Sequence, residues 1–257
     1  AFDVYDANNI NPLYGFFVAR AGLGASESMR SKLAEYNDPR LSRAFITKQG
    51  ASGKEQAPGT ADNAVYAPNG SPEQGTSKYG TSLFMYSISA PTLLLSYHEL
   101  KFLEAEALCR LGRDAKSALK DAVVAGLLNA ESSFSVSRKE LGKDLINPAA
   151  SITEAEAESY FDNTVEAKYT AEPLKTTMTQ KYFALWGASG EATESYNDVR
   201  RMKGLGENFI ELKNPNSFPL RCPYGNSDTT TNAEVKAAYG NGQYVYSENV
   251  WWAGGSR

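Results

Sequence analysis

The chain has 257 residues and a mass of 27.9 kDa, with 42% hydrophobic and 22% charged residues, enough apolar content for a sizeable core. A net charge of −4 and a pI near 5.3 offer no basic surface to nucleic acid or to anionic lipid. The longest apolar run, PTLLL from Pro91, falls far short of the about 20 residues that span a bilayer.

The first segment, AFDVYDANNINP, lacks an initiating Met and a signal peptide and reads as the start of a processed or truncated chain. Pro12 and Gly15 predict irregular structure there. A short helix is predicted from Ser26, a suitable N-cap, to Tyr36, closed by the turn-forming NDPR of Asn37–Arg40. From Lys48 to Ser82 glycine, proline and small polar residues dominate. A loop of that length in a compact protein is either functional or disordered. Its aromatic residues are Tyr66 and Tyr79.

Helix returns at Leu93. Leu100, Leu103, Ala107 and Leu111 form one apolar stripe and His98, Phe102, Ala105 and Cys109 a second, so this helix is expected to be packed on more than one side. Gly112 ends it, and Asp114 is placed to cap a helix that carries Ala118, Ala122 and Ala125 toward Leu128. The small residues let the two helices approach closely as an αα-hairpin. A further helix is predicted over Thr153–Glu166, with Ile152, Ala155, Tyr160 and Phe161 as its apolar face.

The stretch QKYFALWGASGEATESYNDVRR repeats the hairpin design. Leu174, Met178, Tyr182 and Leu185 mark one helix; Ala192, Tyr196, Val199 and Met202 mark the next, with Gly187 and Gly190 between them. Two such pairs suggest tetratricopeptide-like units with insertions between them. Beyond Gly204 the chain is irregular except for a short helix near Asn232–Tyr239. The predicted fold class is mostly α: tetratricopeptide-like helical hairpins with long irregular loop insertions, in a single domain over residues 1–257.

Signatures of catalysis are missing. The one histidine, His98, lies on an apolar stripe, where a satisfied core histidine is the ordinary reading. There is no Gly-x-Ser-x-Gly elbow, no phosphate-binding loop and no dinucleotide fingerprint. Glu154, Glu156 and Glu158 splay around a helix as a solvated acidic face. No catalytic residue, metal ligand or cofactor site is therefore assigned. Cys109 reads as a small buried thiol, and one disulfide to Cys222 stays open. Asp198 stands at helical contact spacing from Arg201, while Arg200 points elsewhere and is available to clamp the following loop. FPLRCPYGNSDTTTN, from Phe218, describes a fixed, hydrogen-bonded loop. Trp251 and Trp252 either pin the tail, the favoured reading, or form a stacking platform.

Five ordered motifs then stand together: NDPRL at Asn37, SYHELKFLEAEAL at Ser96, QKYFALWGASGEATESYNDVRR at Gln180, PLRCPYGNSDTTTN at Pro219, and the terminal tryptophan pair. In that order the chain resembles the SusD/RagB family, in its SusD-like lipoprotein branch, and matches the C-terminal portion of its members. Gly225 and Asp228 depart from the family's usual proline and glutamate, which bears on local loop geometry alone. The resemblance implies a lipid-anchored protein on the outer face of a Gram-negative outer membrane, capping a TonB-dependent transporter of the SusC type. It implies capture of an oligosaccharide or polysaccharide, with peptide cargo, or a purely structural contact with the transporter, as alternatives. It implies no nucleic-acid partner, and a membrane tie only through an anchor outside this chain. On that reading Trp186 and Tyr182 fill the groove between helices, and Arg200 and Arg201 tie down the following loop. Sugar capture needs flat aromatic faces with amide or charged groups nearby. The long insertion 48–86 has that mix, so Tyr66 and Tyr79, helped by Asn63 and Asn69, are the expected ligand-binding residues.

Overall fold

The computed structural model describes residues 8–20, 23–47, 58–59, 64–70, 79–213 and 217–255. The fold is mostly helical, as expected. The chain divides after Leu212 into two compact units.

In the first unit, α1 (Pro12–Arg20) occupies a stretch expected to be irregular. Proline at the first helical position lacks only an N–H that would be unpaired anyway, and Asn11 Oδ1 accepts from Leu13 N at 2.9 Å. Helix α2 (Glu27–Glu35) begins where Ser26 Oγ accepts from Met29 N, and it buries Met29 and Leu33. After the NDPR turn, β1 (Phe45–Ile46) pairs antiparallel with β2 (Thr81–Ser82), Phe45 opposite Ser82 and Ile46 opposite Thr81.

Helix α3 (Tyr97–Arg110) is capped by Ser96 and closed by Gly112, which takes the left-handed φ of 67°. Gly112 N donates to Cys109 O and Arg113 N to Leu108 O, so the last carbonyls are satisfied. His98, Phe102 and Ala105 are buried, but Leu100, Leu103 and Leu111 are 52%, 42% and 67% exposed. The expectation of packing on both sides is therefore corrected: only the histidine–phenylalanine stripe is covered. Helix α4 (Lys116–Leu141) continues well past Leu128, and its face Leu119, Ala122, Val123, Leu127 and Phe134 is the centre of the core. Asp114 accepts from Lys116 N at 3.0 Å, the capping role assigned to it.

Helix α5 (Glu154–Tyr160) runs through a π-helical turn, Phe161–Val165, into α6 (Glu166–Ala171). The wider turn shifts the phase of the helix, so Ala157, Tyr160, Phe161 and Val165 face the core and Ala155 stays outside, unlike the regular pattern. Helix α7 (Pro173–Leu185) is the central element, buried on every side from Thr176 to Lys181. It lies so close to α4 that a Cβ on Gly126 would stand 3.0 Å from Ala184 Cβ. Helix α8 (Glu194–Gly204) completes the second hairpin and buries Val199 and Met202. Trp186 packs at 5.2 Å from Phe45 and 5.1 Å from Phe84 between ring centres.

The second unit holds α9 (Asn226–Thr231) and α10 (Ala233–Tyr239). Helix α9 lies inside the motif expected to be a loop. The Asn232 side chain caps α10, accepting from Glu234 N and Val235 N. Tyr224 stacks on Tyr239 at 4.3 Å, with the Arg221 guanidinium 4.4 Å above the Tyr224 ring. Cys109 and Cys222 are both free thiols.

Candidate functional site

Tyr66, Tyr79 and Asn69, which were expected to bind ligand, make contacts that hold the insertion in place. Tyr66 packs edge-on against Phe45 at 5.2 Å, under the Arg30 guanidinium at 5.3 Å. Burial pushes its hydroxyl above the ordinary tyrosine range. Tyr79 is 4% exposed, so no ring face is open for stacking. Asn69 Oδ1 accepts from Ser26 Oγ at 2.9 Å and so steadies the cap of α2. Backbone bonds from Ala67 N to Ala25 O and from Glu27 N to Ala67 O stitch the same stretch to the start of that helix. Asn63 lies outside the described residues.

A cleft of about 480 Å³ lies instead between the NDPRLSR turn and the π-helical wall. Asp38 lines its floor and is held from behind by buried Arg40: Asp38 Oδ1 accepts from Arg40 Nε at 2.8 Å and Asp38 Oδ2 from Arg40 Nη2 at 2.6 Å. Tyr160 closes the floor, its hydroxyl accepting from Gln180 Nε2 at 3.0 Å. Burial, then the neighbouring Asp38 carboxylate, pushes that hydroxyl well above the ordinary tyrosine range. Arg43 braces the two walls, donating to Pro39 O at 2.9 Å, Ala150 O at 2.8 Å and Glu156 Oε2 at 2.9 Å.

The rim is neutral and polar. Asn37 sits in the left-handed region at φ 48°, a conformation asparagine tolerates, which turns the chain around the mouth. Asn163 Nδ2 donates to Ser159 O and Oγ, both at 2.9 Å, which fixes the amide and leaves its Oδ1 without a partner among the described residues. The Asn37 amide and the Thr164 hydroxyl likewise have none there. Such a set suits an uncharged ligand rich in hydroxyls. It was hidden in the sequence because its walls come from residues more than a hundred positions apart, as the Arg43–Glu156 pair shows.

In the second unit Trp251 and Trp252 are 75% and 64% exposed on a 3₁₀ turn that ends at Gly254, φ 87°.

A profile of the SusD-like family, described as starch-binding and associating with the outer membrane, matches residues 3–224. The chain belongs to the SusD-like family. A SusD/RagB family protein from Bacteroides thetaiotaomicron shares 65% identity, with a TM-score of 0.89 over all of this chain. A putative outer membrane protein from Bacteroides vulgatus, described as probably involved in nutrient binding, shares 21% identity over 88% of the chain at a TM-score of 0.56. The Bacteroidetes protein AC2a, SusD-like, shares 21% over 93% at 0.53. These last two show the fold alone. The chain spans 55%, 50% and 55% of the three solved chains respectively. A search of the curated proteins finds no match.

Holding the SusD-like hairpins in one geometry takes more than apolar stripes, and an ionic ladder supplies the rest. Lys181 Nζ meets Asp198 Oδ2 at 2.8 Å, and Arg201 Nη2 donates to Asp198 Oδ1 at 2.8 Å, the contact its spacing predicts. Arg201 also grips Glu106 with both terminal nitrogens. Glu106 accepts from Arg110 Nε at 2.7 Å, and Arg110 donates to both Glu207 oxygens at 2.8 and 2.9 Å. Burial works against the Glu106 charge, but the two arginines overcome it and hold its carboxyl below the usual range. The following loop is thus tied through Arg110 and Glu207. Arg200 donates to the Tyr196 hydroxyl at 3.3 Å and lies over that ring.

Beside the ladder, Glu191 accepts from Ser96 N and stands 3.6 Å from His98 Nε2. Burial, with the Glu191 carboxylate next to it, pushes Glu99 up to about 7, against the pull of Lys181. Folded Glu99 therefore keeps its proton where the unfolded group has lost it, so stability falls as pH rises from the ordinary carboxylate range to about 7. Glu99→Gln is expected to raise Tm at pH 8 by roughly 2–4 °C for each kcal/mol recovered, and to leave it unchanged at pH 4. Parallel melting curves for the two proteins across that range would remove Glu99 as the cause.

Proposed function

We propose that the chain serves in a cell-surface glycan-binding component of a SusC/SusD-type uptake system, which captures an oligosaccharide or polysaccharide and delivers it to a TonB-dependent outer-membrane transporter. Lipid anchoring at the outer surface belongs to the same proposal. The observation that carries it is the match to the starch-binding, outer-membrane-associating family over residues 3–224. The role is one of binding and hand-over, not of catalysis.

The cleft between the NDPRLSR turn and the π-helical wall is the proposed seat. Asn37, Asn163 and Thr164 offer amide and hydroxyl groups to sugar hydroxyls, and the braced Arg43–Glu156 pair keeps the walls in register. Trp251 and Trp252 are proposed as a separate stacking surface for a sugar ring.

Affinity electrophoresis in gels that contain starch and a panel of other polysaccharides tests both. Retardation by one glycan is expected. Each lost hydrogen bond costs about 1 kcal/mol, so Asn37→Ala with Asn163→Ala is expected to weaken binding by roughly thirtyfold. Full retardation of that double variant, with loss in Trp251→Ala/Trp252→Ala, would move the site to the tail. Absence of retardation by any glycan, with binding of peptide or of the transporter alone, would favour the peptide-binding or structural readings.

A further inference from the structure

On the reading that the cleft beside the NDPRLSR turn seats the glycan, we infer that Glu156 sets its charge selectivity. By holding the Arg43 guanidinium, Glu156 turns away glycans that bear carboxylate or sulfate groups and reserves the cleft for neutral ones.

Arg43 is the one cation that lines the cleft among the described residues. A guanidinium left alone would attract anions, since its paired N–H groups match a carboxylate or a sulfate. Here each of its nitrogens donates to a partner within the wall. Nε donates to Ala150 O at 2.8 Å, Nη1 to Pro39 O at 2.9 Å and Nη2 to Glu156 Oε2 at 2.9 Å. The Arg43 side chain is 13% exposed against 37% for Glu156, so the carboxylate, not the guanidinium, meets solvent at the mouth. Its second oxygen, Oε1, has no hydrogen-bond partner among the described residues. The floor repeats the arrangement. Arg40 is buried behind Asp38 and neutralised by it, and it is Asp38 that lines the cleft.

An anionic sugar that enters therefore meets two carboxylates and no available cation, and it sheds its water without a charge-assisted bond in return. A neutral sugar meets no such penalty. Its hydroxyls donate to Glu156 Oε1 and to Asn163 Oδ1, whose amide nitrogen is already committed to Ser159. Glutamine at position 156 has the same shape and still accepts from Arg43 through its amide oxygen, so the walls stay braced while the cleft gains a net positive charge.

Affinity electrophoresis tests this in gels that contain starch or the same starch carboxymethylated, each mobility taken relative to a glycan-free gel. Glu156→Gln is expected to shift the ratio of the two affinities about tenfold toward the charged polymer. Salt at about 0.5 M should abolish that gain. Arg43→Gln/Glu156→Gln should lack it, because the cation is gone. If the double variant does not fold, the salt response alone shows whether the gain is ionic. An unchanged ratio in Glu156→Gln overturns the inference whichever glycan the wild type prefers. So does a wild type slowed more by carboxymethylated starch than by starch, or a gain that survives in the folded double variant. In each of these cases the cleft remains the seat as long as Asn37→Ala/Asn163→Ala weakens glycan retardation. Retardation indifferent to that pair of alanines defeats the cleft as the seat, and the inference with it.

Discussion

Asp38→Ala is expected to lower the unfolding free energy by about 3–5 kcal/mol, among the largest effects of any single substitution in the chain. Asp38 and Arg40 have side chains 0% and 2% exposed, so removal of the carboxylate strands a guanidinium that water does not reach. Three hydrogen bonds go with it, including the one from Arg40 N to Asp38 Oδ1 that shapes the NDPR turn. Urea denaturation measures the loss. Arg40→Met in the Asp38→Ala background should recover much of it, because the stranded charge is then gone. A cost for Asp38→Ala below about 1 kcal/mol, typical of exposed pairs, would mean that the pair is solvated. Because Asp38 lines the cleft, the destabilised variant should also lose any glycan retardation proposed for it.

Gly187→Ala is the second large effect. Gly187 has φ 78°, and a Cβ there would stand 2.5 Å from Phe84 ring atoms. The left-handed backbone costs an alanine about 1–2 kcal/mol, and forcing a methyl into the ring adds about 1–3 kcal/mol. Gly206 has nearly the same φ, 76°, with nothing within 4 Å of where a methyl would stand, so Gly206→Ala isolates the backbone cost. Equal costs for the two variants, measured by urea denaturation, would exclude the clash with Phe84. Gly190 is confined in a similar way, with Leu93 O 2.2 Å from where its Cβ would be. The glycines between α7 and α8 thus do more than permit a turn: they let the 3₁₀ segment after β2 and the entry to α3 press against it.

What could be read in advance follows from how local each signal is. The α3–α4 and α7–α8 hairpins were legible because stripes such as Leu174, Met178 and Leu185 need only one helix to be recognised. Helix α1 was missed because Pro12 was taken as a breaker, although at the first helical turn it is a starter. The exposed strip on α3 was legible as apolar but not as uncovered, since periodicity says which side is greasy and not what lies against it. The cleft was beyond reach altogether: Asn37 and Asn163 become neighbours only after the whole first unit has folded. Of the ladder, Glu106 with Arg110 and Asp198 with Arg201 have helical spacing and were in principle readable. The link from Arg201 to Glu106, which joins the hairpins, was not.

That ladder also sets the order in which the first unit yields to its surroundings. Lys181 and Asp198, at one end, have side chains 2% and 12% exposed, whereas Arg110 and Glu207, at the other, are 29% and 18% exposed. Dissolved ions screen exposed charges strongly and buried ones weakly. Concentrated salt therefore loosens the rung at Glu207 before it disturbs Lys181, so the start of the segment after α8 is released while the Lys181 rung still holds.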